Sequence, residues 1–289
     1  MKREENLLIG FVMATLAFAS LALMGVFAKA AAPGSPAQVN VFFQNAVAFV
    51  VLAPFALRHG LKPLRTRRIG MHVLRAFSGS ASWLALFIAI NLMPLTNAVL
   101  LAYSAPIILP LIAWLVTRQR ITGPVWIGVV LGFVGIALVL HPSNAELGWG
   151  APIALFGAVM VAMALLSVRW LSETEPDQRI MFFYFSISTL MTLPLALIWW
   201  QMPEVWAWPY IVGIGLSLLA SQVTIIIAYR YATPVILAPT IYLVIIFTAL
   251  IDWAVWDRQP TWLEVGGMAL VIVGGIIAMR KGGNAKHAA

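Results

Sequence analysis

Apolar residues run along this chain in long blocks rather than at alternate positions, and short clusters of charge, glycine and proline interrupt them. The blocks recur about every 29 residues, the length of one membrane-crossing helix plus a short connection. The pattern predicts an all-α membrane protein with ten transmembrane helices, at about 7–30, 37–57, 72–92, 95–117, 122–140, 148–170, 178–200, 206–230, 235–256 and 260–280. No interval is left for a soluble domain. The first block imitates a secretory leader, with Lys2 and Arg3 ahead of it and Ala28-Lys29-Ala30 before Ala31. The apolar run from Leu7 to Phe27 is longer than the roughly 7–15 residues of a leader core, so it is read as a retained helix.

Composition supports this solvent assignment: 62% of the 289 residues are hydrophobic and 10% are charged, against about a quarter charged in soluble domains. The formal charge of +8 matters through its sorting. Sixteen of the 18 Lys and Arg, Arg75 among them, fall on the termini or beside the loops after even-numbered spans. Lys29 and Arg258 remain for the opposite face. This asymmetry predicts a multi-pass inner-membrane protein with both termini cytoplasmic, and no nucleic-acid partner is expected. The segment RHGLKPLRTRR, Arg58 to Arg68, reads as a topogenic charge cluster that could also meet acidic lipid headgroups. The chain has no cysteine, so disulfides, thiolate metal sites and cysteine nucleophiles are excluded.

A shift of 139 positions aligns Tyr103 with Tyr242, Trp114 with Trp253, Thr122 with Thr261, Gly128 with Gly267, Leu131 with Leu270 and Gly135 with Gly274. The repeat unit is five helices, which predicts halves at 1–144 and 145–289. Because five is odd, tandem copies insert in opposite directions, a plan of secondary transporters whose substrate site lies near the midplane. Glycines in the fifth and tenth helices, Gly128, Gly132 and Gly135, then Gly266, Gly267, Gly274 and Gly275, favour close helix packing. A monomer is expected, with homodimerisation through Gly128 and Gly132 as the alternative.

Pro106 and Pro110 in the fourth helix and Pro239 in the ninth release the carbonyls of Ala102, Pro106 and Val235, which marks them as kinks or gates. Tyr103 and Tyr242 occupy equivalent mid-helix places and are expected on opposite walls of one cavity. Ser82, Trp83 and Phe87 in the third helix, Tyr184 in the seventh and Gln222 in the eighth are the other candidate substrate ligands. Ser78, Ser188, Thr192, Ser217, Ser221 and Thr224 fit either substrate contact or backbone packing, and Asn40, Gln44 and Asn45 add amides to the second helix. Asp252 is an ionisable group inside a span and a candidate coupling site, with Lys29 at similar depth as its partner. It lies close enough to the helix end to reach headgroups instead. Trp199, Trp200, Trp206, Trp208, Trp253 and Trp256 suggest an interfacial belt. The sequence carries no phosphate-binding loop, and its His residues at 59, 72, 141 and 287 suggest no metal site. Neither a cofactor nor an enzymatic centre is expected.

The segments LRAFSGSASWLALFIAINLMPLTNAVLLAYSAPIILPLIAWL, residues 74–115, and AYRYATPVILAPTIYLVIIF, residues 228–247, each precede a glycine-patterned helix. Here the chain resembles the drug/metabolite transporter superfamily, in particular its ten-helix members with paired EamA domains, amino acid exporters included. The resemblance implies a basket of helices around a cavity lined by helices 1, 3, 4, 6, 8 and 9. Two departures stand out: Gln44-Asn45 where members often carry an Arg, and Gln119 and Asp257-Arg258 where an acid is common. The expected function is secondary transport of small amphipathic metabolites, amino acid export first, by alternating access. Uptake of a nucleoside-like or vitamin metabolite is the alternative, as is a permease subunit or scaffold that moves nothing alone.

Overall fold

The computed structural model describes residues 7–58, 64–117, 123–139, 148–172, 174–231 and 237–284. These fold into helices α1 (Leu7–Ala31), α2 (Ala37–Leu57), α3 (Ile69–Leu92), α4 (Leu95–Ala102), α5 (Ala105–Thr117), α6 (Gly123–Val139), α7 (Gly150–Ser172), α8 (Asp177–Ile198), α9 (Trp208–Tyr231), α10 (Leu243–Trp256) and α11 (Trp262–Asn284). Short 3-10 turns at Ala32–Gly34, Val205–Ala207 and Ala238–Tyr242 join them. Six of the helical stretches are each long and apolar enough to cross a bilayer, and shorter apolar helices cover Trp126–Leu138, Thr240–Trp256 and Trp262–Ile277.

The polarity is that of a multi-pass membrane protein. Phe11, Val50, Phe55 and Leu190 are exposed, whereas Asn40, Gln44, Asn45, Thr96, Asn97, Asp252 and Glu264 are buried. In lipid the unpaired polar group is the expensive one, so polar side chains turn inward.

The fourth span is broken, where one continuous helix was expected. It stops at Ala102, passes through Tyr103 and Ser104, and restarts at Ala105. Pro106 explains the place: it cannot donate to the Ala102 carbonyl, and its ring disfavours helical geometry upstream. Tyr103 takes φ −88° and ψ 12°, while the Ser104 hydroxyl donates to the Leu101 carbonyl at 2.6 Å. The ninth span likewise begins its described part as a 3-10 turn, with Pro239 near its start.

Helix α1 packs on α9 and α10, α3 on α7, α2 on α8, α4 on α7 and α10, α5 on α7, and α6 on α11. Exchanging each predicted span with the one five later turns the α1–α9 pair into the α3–α7 pair. It also turns α1–α10 into α4/α5–α7, and returns α2–α8, α4–α10 and α6–α11 to themselves. In the α6–α11 seam a Cβ on Gly135 would lie 2.6 Å from the Gly267 carbonyl, and one on Gly274 would lie 2.6 Å from the Gly128 carbonyl. Main chain rests on main chain there. A Cβ on Gly132 would strike Ile107 at 2.3 Å, and the Gly128 carbonyl lies against Gly274, so both glycines serve packing within the chain.

Candidate functional site

Arg75 is the residue that sequence reasoning misplaced. Counted with the charges flanking a loop, it lies inside α3, about 9 Å beyond the helix start at 1.5 Å per residue. Its guanidinium carbon sits 4.2 Å from the centroid of the Tyr184 ring of α8. Trp83, two helical repeats farther along α3, donates its indole N–H to the Tyr184 hydroxyl at 3.0 Å. Gly79 lies between them on the same face, as the i, i+4 spacing requires. A Cβ there would come within 2.7 Å of both the Arg75 Nη1 and the Tyr184 Cε2. The missing side chain makes room for the cation over the ring. The buried Nε of Arg75 has no hydrogen-bond partner.

Tyr103 is buried at the break between α4 and α5. Trp83 and Tyr184 are therefore brought together, with Arg75 added. Ser82 is less available, because its hydroxyl donates to the Gly79 carbonyl at 2.7 Å; Ser78, Thr192 and Thr224 also bond back to the preceding turn. Phe87 is a core residue at 1% exposure, and Gln222 is half-buried on α9. Tyr242 does not face Tyr103 across a cavity as expected. Its hydroxyl lies against Gly275 of α11, where an added Cβ would be 1.3 Å away. Pro106 and Pro110 belong to α5 and Pro239 to the 3-10 turn. Gln119 lies outside the described residues.

A second cluster gathers at the other end of α3. Lys29 of α1 and Asp252 of α10 form an ion pair at 2.9 Å with Asp252 1% exposed, as the shared depth suggested. The second Asp252 oxygen accepts from the Thr96 N–H at 3.1 Å and the Thr96 hydroxyl at 2.9 Å. Beside it, Glu264, a carboxylate that sequence reasoning passed over, accepts from Asn97 at 2.9 Å, Arg258 at 3.0 Å and the Thr261 N–H at 2.8 Å. Asp252 thus caps an N–H at the start of α4, where a helix presents free N–H groups and positive potential, while Glu264 holds the neighbouring Asn97 side chain. Lys29 also stands 4.3 Å from the centroid of the Trp256 ring. A shallow cleft lined by Lys29, Asn91, Pro94, Trp256, Asp257 and Arg258 opens over the cluster.

The opposite end carries a smaller latch. Thr66, ahead of α3, donates to Glu175, ahead of α8, at 2.6 Å; Arg179 donates to the other Glu175 oxygen at 2.5 Å. Arg68 adds a bond to the Trp170 carbonyl at 3.0 Å. Burial pushes the Glu175 carboxyl up, but the bonds from Thr66 and Arg179 and the charges of Arg179 and His72 outweigh it and hold the group below its ordinary range. The His72 ring packs on Phe183 at 4.6 Å between centroids. At the Lys29 end, the corresponding connections meet through the Glu204 N–H donating to the Gly34 carbonyl at 3.0 Å, with the Trp206 ring seated on Gly34.

This fold and these inward-facing polar clusters define a helical multi-pass membrane protein built to handle a solute. A profile of the EamA-like transporter family matches residues 8–141 and again 148–280, and the chain belongs to that family. It is 28% identical over 273 residues to a pseudopaline exporter of Pseudomonas aeruginosa, covering 94% of this chain and 96% of that one. It is 26% identical over 249 residues to a riboflavin transporter of Vibrio cholerae, covering 83% and 82%. An S-adenosylmethionine uptake transporter of Rickettsia prowazekii is 23% identical over 234 residues, covering 80% and 79%. A solved crystal structure superposes with a TM-score of 0.65 at 20% identity, covering 96% of this chain and 98% of its own, which establishes the likeness of fold. The role of the chain is that of a transporter.

Proposed function

We propose that the protein is a secondary transporter of the bacterial inner membrane that exports small amphipathic metabolites, amino acids first, by alternating access. In this reading ten spans form two inverted five-helix halves, and both termini are cytoplasmic. The observation that carries it is the packing pattern, in which exchanging span for span across the halves reproduces the same helix pairs. The same exchange relates the Gly34–Glu204 contact at one end to the Thr66–Glu175 contact at the other. Alternating access needs two such closures, one for each face. The twofold family match and the exporter among the relatives support the same reading. Uptake is the second reading, favoured by the S-adenosylmethionine and riboflavin carriers.

Counterflow into liposomes holding only the purified protein tests it, with labelled amino acids, S-adenosylmethionine and riboflavin as solutes. Protein-dependent amino acid flux is expected, and inside-out vesicles should accumulate the solute. Flux of the two other solutes alone selects the uptake reading. No flux of any solute overturns autonomous transport.

A further inference from the structure

We infer that Arg75, Tyr184 and Trp83 form a carboxylate-binding subsite, so that the passenger carries an anionic carboxylate beside an apolar or aromatic body. This rests on the transport reading and names the chemistry that reading leaves open. The ion pairs among the described residues join Lys29 to Asp252, Arg179 to Glu175 and Arg258 to Glu264. Arg75 takes part in none of them. It instead lies over the Tyr184 ring, which leaves its planar fork of N–H donors uncommitted, and such a fork matches a carboxylate in bidentate fashion.

The hydroxyl of Tyr184 already accepts the Trp83 N–H. A phenol has a single proton to give, and this acceptance leaves it to be donated toward an anion. Trp83, half-buried beside Tyr184, supplies apolar ring surface next to this donor. The notch at Gly79 keeps the backbone of α3 clear of the guanidinium. Charge, donor and ring surface converge within the helix bundle. Neutral and zwitterionic solutes suited the sequence alone; a guanidinium outside every ion pair of the described residues shifts the preference to solutes that present a carboxylate.

The test uses full-length protein in liposomes and, in parallel, ligand-induced thermal stabilisation in detergent, with L-phenylalanine and L-phenylalaninamide as probes. Wild type should favour the acid by about tenfold or more. Arg75→Gln should abolish that preference and leave handling of the amide within about twofold, and Arg75→Lys should restore part of it because a point charge replaces the fork. Tyr184→Phe, which keeps the ring under Arg75, should weaken acid binding alone, and serves if Arg75→Gln does not fold. An unchanged acid preference in Arg75→Gln or Tyr184→Phe, or equal handling of both probes by wild type, overturns the subsite. Arg75-dependent stabilisation by the acid without any flux would uphold the subsite and sink the transport reading. Flux that ignores Arg75 would do the reverse.

Discussion

Tyr103 and Tyr242 stand 139 positions apart, each where an interrupted span hands over to its next helix, and their rings do different things. Their backbones are close: φ −88° and ψ 12° for Tyr103, φ −75° and ψ −12° for Tyr242. Tyr103 is buried at the junction of α4 and α5, and no glycine gap receives its hydroxyl among the described residues. Tyr242 drops its hydroxyl into the gap left by Gly275. The position 139 residues before Gly275 holds Ile136, which offers no such gap. The acids divide in the same way: the counterparts of Asp252 and Glu264 are Ala113 and Val125. The two breaks fall 139 positions apart, and the residues opposite each break decide how its tyrosine is packed.

The sharpest way to break this asymmetry is Asp252→Asn. It removes the charge of a buried carboxylate whose partner Lys29 is 20% exposed, so the loss is expected at or below the lower end of the roughly 3–5 kcal/mol of a fully buried pair, read as a drop in the melting temperature of the purified protein. If the pair also couples transport to protons, the variant loses dependence on an imposed pH gradient; full dependence removes Asp252 from the coupling step.

Gly275→Ala comes next. Its Cβ collides with Tyr242, so a loss of about 1–3 kcal/mol is expected, while Ile136→Val in the first half should cost about 0.5–1.5 kcal/mol. Equal losses in thermal denaturation would mean that the two tyrosines are not distinguished by what faces them.

The smallest effect concerns the latch at Glu175. A carboxyl held below its ordinary range contributes stability above the unfolded value of about 4.3 and loses it as pH falls through the lowered folded value. Wild type should therefore melt above Glu175→Gln by a constant margin near neutral pH, and the margin should close on acidification below about pH 4. A margin that persists in acid would assign the latch to shape rather than charge.

Most of the helices were legible because hydrocarbon demands long apolar runs, and the predicted edges of α2 and the ends of α3 and α5 coincide with those observed. The break at Tyr103 was half legible: Pro106 announced a freed carbonyl, but whether a helix bends or stops depends on its neighbours. Lys29 and Asp252 were pairable from depth alone. Arg75 was missed because a charge six residues into a helix looks like a flanking charge when only the apolar run is counted. Its i, i+4, i+8 register with Gly79 and Trp83 was the available signal. The direction of Tyr242 was beyond the sequence, since it depends on a glycine in a different helix. Glu264 sat within the predicted tenth span and went unweighed; Asn97, its partner, is 167 residues away.

The α6–α11 seam binds the molecule like the spine of a book. Where backbones press together without side chains between them there is nothing to repack, and sliding is blocked by the next carbonyl. Motion among the helices would leave that edge still and spread across the pages, where α1 meets α9 and α3 meets α7. Because the chain has no native cysteine, a single engineered crosslink can report which edge stays shut.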